Sequence, residues 1–210
     1  MVALTLFLGV WQVQRLAWKT DLLAQIDRGE AAPPVPLSDH PAQFSRVIVS
    51  GTFRPEWALY GVEVRATSNG PALGGQLVRA LERDGSLPVM VDLGWVPEGA
   101  PPPDTEGPVT IEGYVRPSEK PIRFGAADDP AHRRFYALDP VAIGKSIGLN
   151  EVAPFTIVAL GTAHPGRYPE PGKTLPRPVN NHLTYAATWF SMAAAGLVIF
   201  AIYARKVLRA

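Results

Sequence analysis

Uncharged residues are concentrated at the two ends of the chain, while alternating apolar and polar residues fill the middle. One long uncharged stretch, Leu183–Tyr203, has 21 residues, which would extend about 31 Å as a helix. That length crosses the hydrocarbon core of a bilayer. Two asparagines suited to an N-cap precede the run, and a cluster of basic residues follows it. The pattern predicts a transmembrane helix over residues 180–204 and a basic cytoplasmic tail at 205–210.

The amino-terminal run, Met1–Gln14, is also uncharged and mostly apolar, but about 21 Å of helix is too short for a full span. Helical periodicity then continues through Arg15 and Trp18. We interpret residues 1–30 as the distal part of a first transmembrane helix and its extension. Arg15 and Lys19 alone favour a cytoplasmic exit, whereas the carboxy-terminal tail favours the opposite orientation.

Residues 31–179 are predicted to form one β-rich domain. The segment Ala31–Pro36 contains three prolines and ends the helical pattern. Beyond it, apolar residues recur with period two between turn residues, which is typical of antiparallel strands. Six strands need a closed sheet (a barrel) or a two-sheet sandwich to bury a core, and the sequence leaves that choice open. The predicted strands are Arg46–Phe53, Trp57–Val64, Gly75–Glu82, Pro88–Val96, Val109–Arg116 and Phe155–Leu160.

A short helix is predicted at Asp139–Gly148, because Asp139 suits the N-cap, Pro140 the first turn and Gly148 the end. Trp95, at the end of a predicted strand, is expected to fill the core. The predicted fold class is therefore α+β. Two transmembrane helices, the first incomplete, flank one antiparallel β-rich extramembrane domain that carries a short helix.

Composition removes several classes of function. The chain has no cysteine, which excludes disulfides, thiolate zinc sites and iron–sulfur clusters. Its net charge is +1 and the two signs are interspersed, which argues against nucleic acid as a partner. No catalytic constellation is recognisable, so we do not expect an enzyme. Asp128, Asp129 and His132 resemble a metal cluster, but their proline and arginine neighbours favour a solvated loop.

His182 is the strongest candidate for a binding residue. It lies on the first turn of the predicted carboxy-terminal helix, where the helix dipole favours the neutral, metal-ligating imidazole. Tyr185 and Trp189 share its face and offer a surface for a flat hydrophobic cofactor. The same three residues would also serve as ordinary interfacial anchors. The opposite face carries small residues at four-residue spacing, a pattern that admits a partner helix: Ala187, Ser191 and Ala195.

Three motifs resemble the Surfeit locus protein 1 family of cytochrome c oxidase assembly factors: residues 9–19 (GVWQVQRLAWK), 91–97 (VDLGWVP) and 180–190 (NNHLTYAATWF). The resemblance implies two membrane helices with both termini inside and a β-rich domain in the periplasm or intermembrane space. It also implies a role in maturing the haem-copper oxidase, by holding haem a for insertion into subunit I. The second motif departs from the family's usual N-R-G-W-V-P, because Asp92 and Leu93 replace the asparagine and arginine.

In bacterial members the histidine of the N-N-H-L motif is the residue linked to haem a, so the resemblance implies that His182 ligates the haem iron. Arg177 or Lys173 would then pair with the haem propionates. The implied partners are oxidase subunit I, haem a synthase and the lipid bilayer. The implied location is multi-pass in the bacterial inner membrane, since no Arg/Ser-rich presequence precedes the first helix. The alternative function is a structural chaperone of subunit I that never ligates haem, and a homo-oligomer around one haem stays open.

Overall fold

The computed structural model describes residues 1–68, 70–100, 102–103, 105, 107–123, 125–164 and 166–209. They form two compact units, one made of Met1–Asp27 with Pro176–Ala210 and the other of Arg28–Leu175. The helices of the described residues are α1 (Val2–Ala31), α2 (Pro140–Ser146) and α3 (His182–Leu208). The strands are β1 (Val35–Pro36), β2 (Arg46–Thr67), β3 (Gly70–Arg83), β4 (Ser86–Pro97), β5 (Pro108–Pro117), β6 (Arg134–Phe135) and β7 (Phe155–Ala159). The α+β class predicted from the sequence is confirmed.

The predicted carboxy-terminal helix is confirmed as α3, which alone among the described residues is long and apolar enough to cross a membrane. Its N-cap is Asn181, whose side chain makes no capping bond, while the Asn180 Oδ1 accepts from the His182 amide at 3.5 Å. The helix continues beyond the predicted end at 204, through Arg205 and Lys206. Most of the predicted tail, 205–210, is therefore helical, and Ala210 lies outside the described residues.

α1 and α3 run antiparallel within the first unit. The side chain of Gln12 meets His182, and a Cβ added to Gly9 would lie 2.7 Å from the Phe190 ring. Nearer the start of α1, Val2 approaches Gly196, where an added Cβ would lie 3.1 Å from it. Since α1 numbering falls as α3 numbering rises along these contacts, the two helices point in opposite directions.

Small residues allow this close approach of the two helices. Thr5 and Gly9 are buried on α1, and Ala186 and Ala193 on α3. Thr5 and Gly9 are four residues apart and Ala186 and Ala193 are seven apart, spacings that keep each pair on one helix face along a single seam. A branched side chain at Gly9 would separate the helices, because the Phe190 ring occupies the space beside it.

The β unit is built on one sheet whose pairings close on themselves. β2 pairs with β3 and with β5, and the path returns through β4 and β7. Apolar side chains from five strands fill the interior, and α2 covers a second cluster with Ile143 and Ile147. The capping residue of α2 is Asp139, which accepts from the amides of Val141 and Ala142. The predicted short helix and its cap are confirmed, although the helix ends at Ser146.

Several predicted strand boundaries need correction. The predicted strands Arg46–Phe53 and Trp57–Val64 are one strand, β2, which bulges between Phe53 and Trp57 and continues past Pro55. A bulge tolerates a proline because the residue there makes no ladder bond. β7 pairs antiparallel with β5, as the sequence predicts, but it pairs parallel with β4, since the chain crosses over through α2 before it returns.

The predicted core residue Trp95 is fully buried. It contacts residues 168–170, which precede α3 in the chain. Trp95 and Glu170 exchange backbone hydrogen bonds of 3.0 and 2.9 Å. Tyr168 packs edge-on to the indole at 5.7 Å, and the Arg65 guanidinium lies over it at 5.4 Å. The G-W-V-P motif therefore anchors residues 168–170 to the sheet.

Candidate functional site

The imidazole of His182 is held by an amide from the other helix of its unit. Its Nδ1 lies 2.7 Å from the Oε1 of Gln12, and Gln12 is only 8% exposed. An amide oxygen can only accept, so Nδ1 donates this hydrogen bond, and in a neutral imidazole the lone pair then lies on Nε2. Among the described residues Nε2 has no hydrogen-bond partner. This is the neutral tautomer in which histidine binds a metal ion.

The helical repeat of α1 explains why Gln12 is buried. It follows Gly9 by three residues and Thr5 by seven, so it lies on the seam with α3. A buried amide needs a partner, and His182 is the polar residue that α3 presents there. The sequence analysis missed Gln12, although its place on the same stripe as the small residues was a usable signal.

Tyr185 and Trp189 lie on the same face of α3 as His182. Tyr185 is 56% exposed, whereas His182 and Trp189 are half-buried. The middle of this face is not open, because Ala186 and Ala193 are 3% and 1% exposed. The three predicted residues therefore lie along the edge of the helix seam, with the imidazole at one end and aromatic surface beside it.

The structure also decides which small residues of α3 meet α1. The expected helix-packing residues Ala187, Ser191 and Ala195 are all exposed, while Ala186 and Ala193 are buried. Periodicity alone could not choose, because small residues line both faces. The face with Ala187, Ser191 and Ala195 stays uncovered by the described residues of this chain.

Arg177, the predicted partner of the propionates, is not brought to His182. Its guanidinium lies 2.8 Å from Asp27 Oδ1. Asp27 follows Gln12 on α1 by fifteen residues, which places it about 22 Å farther along the helix. The other cation considered, Lys173, belongs to the β unit and lines a cavity of about 500 Å³ together with His164 and Glu170.

A cluster of two tryptophans and two cations lies on α1 next to Gln12. The Arg15 guanidinium lies 4.7 Å from the Trp18 ring centre and 5.9 Å from that of Trp11. The Lys19 ammonium lies 5.7 Å from Trp18. Trp11, Arg15 and Trp18 stand at spacings of four and three residues, and Lys19 follows Arg15 by four, so one stretch of helix surface carries them. Among the described residues, Arg15 makes no ion pair with a carboxylate.

Among the described residues of the β unit, the carboxyl group of Asp92 is the deeply buried one, at 2% exposed. Its Oδ1 accepts from the Gly94 amide at 3.0 Å. Burial raises the pKa of Asp92 to about 6, against the opposing effects of that hydrogen bond and of the positive charges of Arg116 and Arg65. Asp92 lies in the sheet and takes part in folding stability rather than in the helix site.

The loop that carries Asp128, Asp129 and His132 is held by local bonds. Asp128 Oδ1 accepts from the Tyr136 amide at 2.6 Å, and Asp129 Oδ2 lies 2.7 Å from His132 Nδ1. His132 is largely exposed. Among the described residues, no group of three or more histidine or acidic side chains is arranged to hold a metal ion.

Comparison with known proteins gives a match over most of the chain. The family model described as the SURF1 family matches residues 1–194. A SURF1-like protein of Monosiga brevicollis is 29% identical over 96% of this chain and 84% of its own length. Surfeit locus protein 1 of Homo sapiens is 29% identical over 93% of this chain and 72% of its own length. The same protein of Takifugu rubripes is 26% identical over 98% and 95%.

Proposed function

Since this chain belongs to the SURF1 family, we propose that it is an assembly factor for haem-copper cytochrome c oxidase which holds haem a for insertion into subunit I. In this proposal α3 spans the bacterial inner membrane, the first half of α1 is the distal part of a second membrane helix, the basic carboxy-terminal end is cytoplasmic and the β unit is periplasmic. Subunit I, haem a synthase and the lipid bilayer are the partners. The protein is an assembly factor and not a catalyst.

The observation that carries the proposal is the hydrogen bond from His182 Nδ1 to Gln12 Oε1. In a neutral imidazole this bond puts the lone pair on Nε2, the atom that can ligate iron, and Nε2 has no hydrogen-bond partner among the described residues. Tyr185 offers an exposed aromatic ring one turn away, which suits a hydrophobic macrocycle. When bound, the haem supplies the iron that this lone pair takes up, and His182, Gln12 and Tyr185 fit that role.

A carrier has to release its cargo. One imidazole ligand on an exposed helix edge gives a weaker hold than two ligands in a closed pocket. The described residues place no second histidine in this helix unit beside His182. The site therefore fits transient holding better than a permanent prosthetic group.

Membrane insertion is supported by the surface of the helix unit. Large apolar side chains of α3 such as Leu183, Ile199 and Phe200 are more than 60% exposed, which suits lipid or another membrane protein and not water. Basic residues Arg205, Lys206 and Arg209 stand at the far end from His182, as expected for a cytoplasmic end. Met1–Gln14 on α1 is uncharged and lies antiparallel to α3.

The test is to express the full chain in a host that makes haem a, purify it in detergent and record the Soret band. We expect a band for the wild type and for His40→Ala, whose histidine is exposed in the β unit. We expect its loss in His182→Ala. An unchanged band in His182→Ala would leave haem binding but remove this site. No band in the wild type would reject haem holding altogether.

The second candidate function is a structural chaperone of subunit I that never ligates haem. The uncovered face with Ala187, Ser191 and Ala195 favours it, because small residues let membrane helices approach closely. The two functions differ in one outcome of the same experiment. A chaperone would co-purify with subunit I and show no Soret band of its own.

A further inference from the structure

We propose that Arg15, held between Trp11 and Trp18 on α1 and assisted by Lys19, binds the carboxylate groups of the cargo whose iron is ligated by His182. The inference rests on the proposed function and names a residue that sequence analysis did not assign. It replaces Arg177, which pairs with Asp27 at a distance along α1 from the imidazole.

The side of the helix pair on which Arg15 lies follows from the contacts. Gln12 and His182 face each other across the seam. Arg15 follows Gln12 by three residues, and Tyr185 follows His182 by three. Two antiparallel helices in contact are related by a two-fold axis perpendicular to the plane of the two helix axes. Residues that follow the contact pair by the same number of positions therefore lie on the same side of that plane, so Arg15 and Tyr185 share one side.

The contact between Gly9 and Phe190 checks this assignment. Gly9 precedes Gln12 by three residues, and Phe190 follows His182 by eight. At about 100° per residue these offsets turn both positions to the side opposite Arg15 and Tyr185. Since the Phe190 ring does fill the space beside Gly9, the two sides of the pair are correctly distinguished.

The order along the pair fits an amphiphile. Because α1 and α3 point in opposite directions, Arg15 lies about one turn from the imidazole towards the end marked by Asp27 and Arg177. Tyr185 lies about one turn towards the uncharged interior. A flat molecule on this side, with iron at His182, would have its carboxylates at the charged end and its apolar part on the aromatic surface.

The guanidinium of Arg15 is suited to carboxylates. Arginine offers a planar fork of N–H donors that matches a carboxylate in bidentate geometry. The two indole rings hold it by cation–π contacts and take up none of its donors. Arg15 is exposed, and no carboxylate among the described residues pairs with it. The cluster is thus a preformed receptor for an anionic group.

The experiment compares haem a with its dimethyl ester, in which both carboxylates are neutral. The full-length protein in phosphatidylcholine nanodiscs is titrated with each, and the Soret band reports binding. For the wild type we expect affinity about tenfold lower for the ester, the size of one lost charge-assisted hydrogen bond. Arg15→Gln should bind the free acid about tenfold more weakly and should no longer distinguish the two. Arg15→Lys should recover part of the difference.

Arg177→Gln is the matched control and should behave as the wild type. If Arg15→Gln keeps the preference for the free acid, the inference is overturned. It is also overturned if that variant loses only its binding to vesicles containing phosphatidylglycerol, since the cluster would then hold lipid phosphate. If the wild type binds the acid and the ester equally, the inference is rejected. The proposed function is kept in that case as long as the Soret band is still lost in His182→Ala. Absence of any band in the wild type rejects both.

Discussion

His182 Nδ1 lies 2.7 Å from Gln12 Oε1, a hydrogen bond between residues 170 positions apart in the chain. The bond joins the first turn of α3 to the buried face of α1. In a neutral imidazole it also favours the tautomer with the proton on Nδ1, because the amide oxygen can only accept. A single contact between the helices therefore sets the position of the candidate ligand and favours one of its two neutral tautomers.

Gln12→Leu should weaken haem binding about 10- to 100-fold, the usual cost of removing the residue that orients a metal-ligating histidine. The leucine fills the same space but accepts no hydrogen bond, so the imidazole would mix its two neutral tautomers. The measurement is the ¹⁵N chemical shift of the His182 ring nitrogens in the protein without haem, followed by Soret titration.

Gln14→Leu is the matched control, because Gln14 is the same residue type on the same helix and is exposed. It should leave both the tautomer and the affinity unchanged. If the ring of Gln12→Leu keeps its proton on Nδ1, the amide does not set the tautomer, and the argument for a prepared lone pair fails.

Gly94→Ala should destabilise the β unit by about 3 kcal/mol or more, as expected for a clash combined with a disfavoured backbone. A Cβ at this position would lie 2.0 Å from the carbonyl oxygen of Glu170, which cannot move without breaking its segment from Trp95. The φ of Gly94 is +115°, a value that alanine rarely adopts. Urea unfolding followed by tryptophan fluorescence measures the effect.

Gly85→Ala separates the two causes. Gly85 also has a positive φ, +68°, but an added Cβ there meets nothing within 4 Å. We expect a loss of only about 1 kcal/mol, from the backbone conformation alone. Equal losses at the two glycines would show that the contact with Glu170 contributes nothing.

Asp92→Asn should stabilise the protein at neutral pH by about 3 kcal/mol. The carboxyl group has an ordinary pKa of 3.8 in the unfolded chain and about 6 in the folded protein, so the folded state binds the proton more tightly. The folded protein is therefore most stable with respect to this group below about pH 4, where the carboxyl group is protonated in both states. The unfolding free energy falls as the pH rises from about 4 to 6 and stays low above that. Two pH units correspond to about 3 kcal/mol.

Unfolding free energies of the wild type and Asp92→Asn, measured from pH 4 to 7, test this. Other carboxylates titrate in the same range, so the difference between the two proteins isolates Asp92. The asparagine Oδ1 can still accept from the Gly94 amide. If the unfolding free energies of the two proteins changed in parallel with pH, ionisation of Asp92 would cost the folded state no stability, and the prediction would be wrong.

The sequence predicted what local patterns determine. The uncharged run predicted α3, the Asp139–Pro140 pair predicted the start of α2, and the strand ends were mostly within a few residues. It did not predict that β2 passes through Pro55 or that β7 is parallel to β4, because both depend on which strands become neighbours. His182 could be singled out as a candidate because its helix end is a local signal. Gln12 and the distance of Arg177 depend on the pairing of α1 with α3, which no local pattern contains.

The uncovered face of α3 leads to the last prediction, which separates holding haem from binding the oxidase. Ala195 is exposed, so Ala195→Leu should leave the helix pair and the Soret band unchanged. If this face docks subunit I, the larger side chain should weaken capture of the oxidase about tenfold, since overpacking a close helix contact costs about 1–3 kcal/mol.

Gly9→Leu provides the contrast, because an added Cβ would lie 2.7 Å from the Phe190 ring. It should push α1 from α3, break the bond between Gln12 and His182, and lower haem binding. Pull-down of tagged subunit I and the haem-to-protein ratio are measured on both variants. Loss of haem with retained capture in Ala195→Leu would reverse the assignment of the two faces, because the exposed face would then serve the cargo and the seam would serve only the fold.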